Sequence, residues 1–392
     1  MFMAANPIEV GTQVVAESGA LGQLIASLRK RGYEVVGPTL REGAVVYETL
    51  ESSEELPAGW TDRQSPGHYR VERSGDNKYF SYVVGPTSWK KYLHPAEVRL
   101  FQIENNGNGL KILSSAASEP SPKYAFLGVR ACELAAIAIE DRVLLGDKYA
   151  DPIYRQRRQN LFLIAVQCTR ASSSCFCTSM GTGPHVTSGY DLVLTEVADN
   201  GRAYFVMSAG SEAGVEVLRE LEAREASAES IGKAQQAVDG AAAMITRRLD
   251  MTGVRELLYA QFEHPRWDDV AGRCLTCGNC TMACPTCFCV TVEDSSDFSG
   301  ERAERWRRWD SCFTQSFSYI HGGSVRQSPK SRYRQWLTHK LAAWQDQFGS
   351  PGCVGCGRCI TWCPAGIDIT EEVAAIRGAA EGERRDGELQ PA

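Results

Sequence analysis

No cysteine occurs in the first 131 residues of this 392-residue chain, and none between positions 178 and 273. Whatever thiol chemistry the protein performs is confined to the remaining stretches. Histidine is scarce, with 6 in all, and His185, His321 and His339 have no metal-ligand spacing among themselves. No apolar run exceeds six residues, as at 161–166, and the opening Met-Phe-Met-Ala-Ala-Asn-Pro has neither a basic n-region nor an apolar core. No signal peptide and no membrane span are expected. Without export the compartment is reducing, so a cytoplasmic protein is expected, with thiols serving as ligands rather than as structural bridges. Also missing are a Gly-x-Gly-x-x-Gly after a strand, a Walker sequence and a nucleophile elbow. Gly181-Thr-Gly183-Pro184 is too short to be a dinucleotide signature, so flavin or nicotinamide would have to reside on another chain. An excess of positive charge is lacking too: the net charge of -6 argues against a nucleic-acid binder. With 43% hydrophobic and 23% charged residues, wholesale disorder is excluded and two or three domains are expected.

Against these absences stand 15 cysteines, four between 132 and 177 and eleven between 274 and 363. Residues 1–207 alternate helix and strand signals: a helix at 21–31 closed by Gly32, strands at 33–36 and 44–49, then strand 124–129, helix 131–145 and strand 161–167. The last three read as a βαβ unit with parallel pairing. Residues 190–197 and 202–207 read as a hairpin turning at Asp199-Asn200-Gly201. Residues 208–265 are rich in Ala, Glu, Gln and Arg with apolar positions at helical spacing, and 222–230 reads as a hinge or helix junction. The fold class expected is α+β. A mixed α/β domain (1–207) leads through a helical connection (208–265) into a two-cluster ferredoxin-like domain (266–392) with a large insertion.

Two runs carry the strongest signal. Residues 274–285 read Cys274-Leu-Thr-Cys277-Gly-Asn-Cys280-Thr-Met-Ala-Cys284-Pro285, and 353–364 read Cys353-Val-Gly-Cys356-Gly-Arg-Cys359-Ile-Thr-Trp-Cys363-Pro364. Both have the Cys-x2-Cys-x2-Cys-x3-Cys-Pro spacing of two-cluster ferredoxins. Thiolates at every third residue wrap one 4Fe-4S cube from three corners, while the fourth cysteine reaches the other cube. One cluster then takes Cys274, Cys277, Cys280 and Cys363, and the other Cys353, Cys356, Cys359 and Cys284. Structural zinc uses two Cys-x2-Cys pairs and has no need of a third thiolate at the same pitch.

The 68 residues at 285–352 form the insertion, and positions 301–340 hold nine Lys or Arg against three acids with tryptophans interleaved. A solvated face, an electropositive shell that raises cluster potentials and a dock for an acidic partner are the three readings, and the tryptophans favour docking. Cys132 and Cys168 fall at the carboxyl ends of neighbouring strands, where open α/β sheets place ligands. With Cys175 and Cys177 they would hold a third 4Fe-4S cluster at the start of a helix. Cys287, Cys289 and Cys312 have no partner set; burial beside the first cluster is expected, and a competing arrangement adds His321 as a fourth ligand.

The segments Gly32-Tyr-Glu-Val-Val-Gly-Pro38, Val84-Gly-Pro-Thr-Ser-Trp-Lys90, Gly128-Val-Arg-Ala-Cys-Glu-Leu134, Cys175-Phe-Cys-Thr-Ser-Met-Gly-Thr-Gly-Pro184, Trp309-Asp-Ser-Cys312 and both cysteine runs resemble one family nearly end to end. It is the beta subunit of cytoplasmic sulfhydrogenase-type, NAD(P)-linked nickel–iron hydrogenases, to which the iron–sulfur subunit of anaerobic sulfite reductase is similar. The resemblance implies a non-catalytic electron-transfer subunit of a multisubunit oxidoreductase. It would relay electrons between a flavin, NAD(P)-binding subunit and the small and large subunits of the hydrogenase, with a cluster beyond the ferredoxin pair. The alternatives are a wiring subunit of an anaerobic sulfite or sulfur reductase and a non-redox metal-binding scaffold.

Overall fold

The computed structural model describes residues 8–388 apart from 106, 108, 147–148 and 200–201, with side chains up to position 379. The N-terminal seven residues and the Asn200-Gly201 turn considered above lie outside the described residues. The chain is α+β. Its largest sheet has eight strands in the order Ala223–Glu225, Gln13–Glu17, Arg202–Ala209, Leu192–Asp199, Phe162–Val166, Tyr124–Val129, Glu34–Arg41 and Ala44–Thr49. The strands that begin at Glu34, Tyr124, Phe162 and Leu192 are parallel neighbours.

These strands read as unbroken apolar runs because both faces are covered. Ala125, Leu127 and Ile164 pack on the Ala20–Lys30 helix side, whereas Phe126, Leu163 and Ala165 pack with Trp89 and the Ala131–Leu144 helix. The βαβ unit is present, with a second helix, Pro152–Gln159, in the crossover. The hairpin is present as well, its strands antiparallel from Leu192↔Ala209 to Asp199↔Arg202.

Two expectations change. The stretch read as a hinge at 222–230 contains the Ala223–Glu225 strand, which pairs antiparallel with Gln13–Glu17 at the sheet edge. Its exposed charges, Arg224 and Glu225, suit an edge strand, and their composition imitated a linker. The insertion shares a sheet with the N-terminal half. Its strands Val290–Ser296 and Arg302–Trp309 join Glu97–Asn105 and Leu110–Ser115 of the N-terminal half in one four-stranded antiparallel sheet.

That sheet also explains the basic insertion. Arg302 pairs with Glu104, Arg305 with Asp294, Arg307 with Asp151, and Arg308 with Glu97 and Glu293. Lys330 and Arg334 meet Glu263, and Trp336 and Trp344 are buried. These six cations find their acids within the chain and Arg332 and Lys340 are buried, so the insertion presents little free charge for the acidic-partner dock expected there. Among the described residues no helix is long and apolar enough to cross a membrane.

Candidate metal centres

The two ferredoxin runs fold into matching loops. Thr276 and Gly355 occupy the same place in each run, and both have a left-handed backbone, with φ of 51° and 64°. Gly278 and Gly357 follow at 77° and 78°. This geometry turns the Thr276 N–H onto the Cys274 Sγ and the Gly355 N–H onto the Cys353 Sγ, each at 3.4 Å. Backbone N–H groups aimed at cysteine sulfur stabilise thiolate and tune an iron–sulfur cluster. Short helices, Asn279–Met282 and Arg358–Thr361, continue each loop and carry it toward its fourth cysteine.

Cys274, Cys277, Cys280 and Cys363 line one apolar cavity with Phe313, Tyr333, Trp336 and Ile367. The Tyr333 hydroxyl and the Trp336 indole N–H are buried there without a partner among the described residues. The Ile367 N–H reaches the Cys363 Sγ at 3.4 Å. Burial raises the Cys280 thiol, and the neighbouring Cys274, Cys363 and Cys277 raise it further. Four thiols gathered in an apolar cavity repel each other as thiolates, so this donor set suits a compact cationic centre.

Cys353, Cys356 and Cys359 gather with Cys284 in the same manner. Burial raises the Cys359 thiol first, then Cys353, Cys356 and Cys284. The ammonium of Lys340 lies 3.2 Å from the Cys284 Sγ, 3.1 Å from Thr286 Oγ1 and 2.9 Å from the Gly352 carbonyl. The Thr286 hydroxyl sits 3.2 Å from the same sulfur and donates to the Gly352 carbonyl at 2.7 Å.

In the N-terminal half, Cys132 opens the helix after strand Tyr124–Val129, and Cys168 follows strand Phe162–Val166. Cys175 and Cys177 close on them from the next loop. Burial raises Cys132, which also feels Cys356, Cys177 and Cys168. Burial likewise lifts Cys175 to about 11. Gly183 makes room here, since a Cβ on it would sit 3.2 Å from Ala131 Cβ and 3.3 Å from the Cys177 Sγ. This gives the Gly-Thr-Gly-Pro stretch a packing role.

The N-terminal group abuts the second ferredoxin loop. The Phe176 N–H donates to the Gly355 carbonyl at 2.9 Å, and the Thr182 hydroxyl donates to the Val354 carbonyl at 2.6 Å. Arg358 adds a buried clamp: its guanidinium donates to the Gly85 and Thr87 carbonyls and pairs with Glu133 at 2.5 Å. Glu133 also accepts from Tyr47 Oη, Trp89 Nε1 and the Arg130 N–H. Lys340, Thr286, Arg358 and Glu133 carried no role in the sequence reading. Arg358 and Glu133 stand inside quoted motifs, but their pairing across 225 positions has no local signal.

Of the unassigned thiols, Cys287 is a neighbour of Cys284, and Cys289 of Cys312. His321 is exposed beside the Tyr319–Ile320 strand. Among the described residues no three His, Cys, Asp or Glu donors converge tightly enough to share one metal ion. A mononuclear zinc site needs that convergence, whereas a cube spreads its thiolates over separate corners.

The fold and the paired loops define an iron–sulfur electron-transfer protein. Residues 273–367 match a 4Fe-4S dicluster domain. Over 258 residues, 65% of this chain and 74% of the relative, the sequence is 32% identical to Sulfhydrogenase 2 subunit beta of Pyrococcus furiosus. The chain therefore belongs to the family of sulfhydrogenase beta-type iron–sulfur subunits. No solved structure matches it.

Proposed function

We propose that this chain is the wiring subunit of a multisubunit nickel–iron hydrogenase, relaying electrons between a flavin, NAD(P)-binding subunit and the small and large hydrogenase subunits. Three 4Fe-4S clusters would be held by Cys274, Cys277, Cys280 and Cys363, by Cys353, Cys356, Cys359 and Cys284, and by Cys132, Cys168, Cys175 and Cys177. In this reading 1–207 carries the third cluster, 208–265 connects, and 266–392 carries the pair. The observation that supports it is contiguity: Cys359 lines the first cavity with Cys363, and Cys356 neighbours Cys132 and Cys177.

When bound, each cluster accepts and returns one electron. The chain's residues supply thiolates, hold them apart at fixed corners, aim N–H groups at the sulfurs and exclude water.

Anaerobic purification of the chain should give about twelve Fe with matching acid-labile sulfide. Cys175→Ser should remove about four Fe while leaving the ferredoxin signals. Unchanged iron in that variant refutes the third site, and zinc without sulfide refutes the whole reading. The native complex should contain a nickel-bearing large subunit; sirohaem in its place assigns the chain to a sulfite reductase.

A further inference from the structure

The helix Pro329–Thr338 does not continue regularly. It passes through a π turn at His339–Ala343 before resuming as Trp344–Phe348. Such turns cluster at functional positions because they re-aim a side chain. Here the re-aimed residue is Lys340. It is 2% exposed and directs its ammonium onto the Cys284 Sγ at 3.2 Å. Two more acceptors, Thr286 Oγ1 and the Gly352 carbonyl, complete its three donor positions. The Gly352 N–H returns a bond to the Lys340 carbonyl at 2.8 Å, which fixes both partners. No acid is paired with this lysine among the described residues.

The other two cysteine groups are treated differently. At the first group the donors to sulfur are backbone N–H groups. Arg332 lies nearby but donates to the carbonyls of Phe313 and Gln327. At the N-terminal group Arg130 offsets part of the rise that burial gives Cys168, through its charge and a side-chain hydrogen bond, while it also donates to the carbonyls of Gln167, Phe80 and Tyr82. The middle group has a lysine ammonium, free of any ion pair among the described residues, at 3.2 Å from a ligand sulfur and a second buried cation, Arg358, beside Cys356. A reduced cluster carries one more negative charge than an oxidised one, so a buried positive charge at hydrogen-bond distance favours the reduced form.

We propose that Lys340 is a positioning residue for electrons: it makes the cluster of Cys284, Cys353, Cys356 and Cys359 the highest-potential centre of the three, where electrons arriving from either side collect. This rests on the proposal that those four cysteines hold a cluster. A middle centre of high potential would hold one electron between two lower-potential neighbours.

The test is a redox titration of the full chain with its clusters, followed by EPR, on wild type, Lys340→Met, Lys340→Gln and Lys340→Arg. The middle centre is identified as the one whose signal Cys359→Ser alters. Gln keeps a neutral donor for Cys284 and Gly352, and Arg keeps the charge. At the wild-type midpoint, the reduced-to-oxidised ratio of the middle centre should fall at least tenfold in Met and Gln, a shift of 59 mV for one electron. It should stay near unity in Arg, and the other two centres should titrate as before. An unmoved middle centre in a fully loaded Met or Gln variant overturns the proposal. So does a wild-type middle centre that titrates below either neighbour. If both neutral variants lose one cluster's iron while Arg keeps it, Lys340 is an assembly residue and the proposal also falls. A wild-type chain without iron and sulfide defeats the cluster assignment itself, which the iron analysis reads separately.

Discussion

The two ferredoxin loops have the same spacing and the same backbone turns, yet their surroundings are opposite. In the first loop Cys277 is exposed and Leu275 is 65% exposed. In the second, Val354 at the position equivalent to Leu275 is 2% exposed, and Cys353 and Cys356 are buried. The difference comes from what the rest of the chain does. The segment around Cys175-Phe176-Cys177 covers the second loop, Arg358 bolts it to Glu133, and Lys340 reaches its fourth cysteine. A cysteine motif therefore fixes the shape of a cluster loop, while contacts from distant segments decide whether that loop faces solvent or forms the centre of the molecule.

The sharpest way to break the comparison is at the shared left-handed position. A Cβ on Gly355 would fall 2.7 Å from the backbone of Cys177, and one on Gly357 would fall 2.4 Å from the Ser174 carbonyl. Neither obstacle is a flexible side-chain end. Gly355→Ala should separate the loop from the Cys175 segment and lower iron by about two clusters' eight atoms in elemental analysis. Thr276 already carries a side chain at the matching place, so Thr276→Ala should keep its iron. Equal loss from the two variants would show that the loops are constrained alike.

Next in size is the buried pair. Arg358→Met leaves the Glu133 carboxylate without its cation, and breaking one side of a buried ion pair costs about 3–5 kcal/mol. Urea unfolding should report it as a lower midpoint. Glu133→Gln in the same chain should recover part of the loss, because the unpaired charge is then gone. Additive losses in the double variant would mean that the pair is not the clamp.

How much of this was legible in the sequence follows from the range of each signal. The cysteine runs and the parallel strands at 124–129 and 162–166 are local patterns, and the family resemblance rested on short motifs spread along the chain. The shared sheet of 97–115 with 290–309 was not legible, because strand pairing between distant segments leaves no local period. For the same reason the basic insertion reads as a docking face: its acids, Glu97, Glu104 and Asp151, stand between 156 and 211 positions away from the arginines they meet. Lys340 belongs to that charge run. Its role appears only once the π turn and Cys284 are seen together.

A smaller effect tests the buried side through pH. Glu140, buried beside Lys90 and Pro285 with both carboxylate oxygens unpartnered among the described residues, is pushed up to about 8 by burial, which outweighs the pull of Lys90 and Lys340. The folded chain thus binds this proton more tightly than the unfolded chain, whose carboxyl titrates near its ordinary 4.5. Its stabilising contribution is complete below that value and is lost as pH rises toward 8, at up to about 1.4 kcal/mol per pH unit. Glu140→Gln cannot ionise, so its thermal midpoint should decline less between pH 5 and 8 than that of wild type, as read by circular dichroism. Parallel curves would place the titration elsewhere.

The smallest effects compare the loops at one equivalent position. Val354→Ala removes methyl groups from a packed site, and at about 0.8 kcal/mol per buried methylene plus a cavity the loss should be roughly 2 kcal/mol. Leu275→Ala removes more carbon from a side chain that is already 65% exposed. Surface changes away from buried contacts stay within about 0.5 kcal/mol, so the larger truncation should have the smaller effect on the urea midpoint. That inversion is the signature of two copies of one motif in two environments. A Leu275→Ala loss as large as that of Val354→Ala would mean that something covers the first loop in solution, and the contrast between an outward and an inward cluster site would then fail at its simplest point.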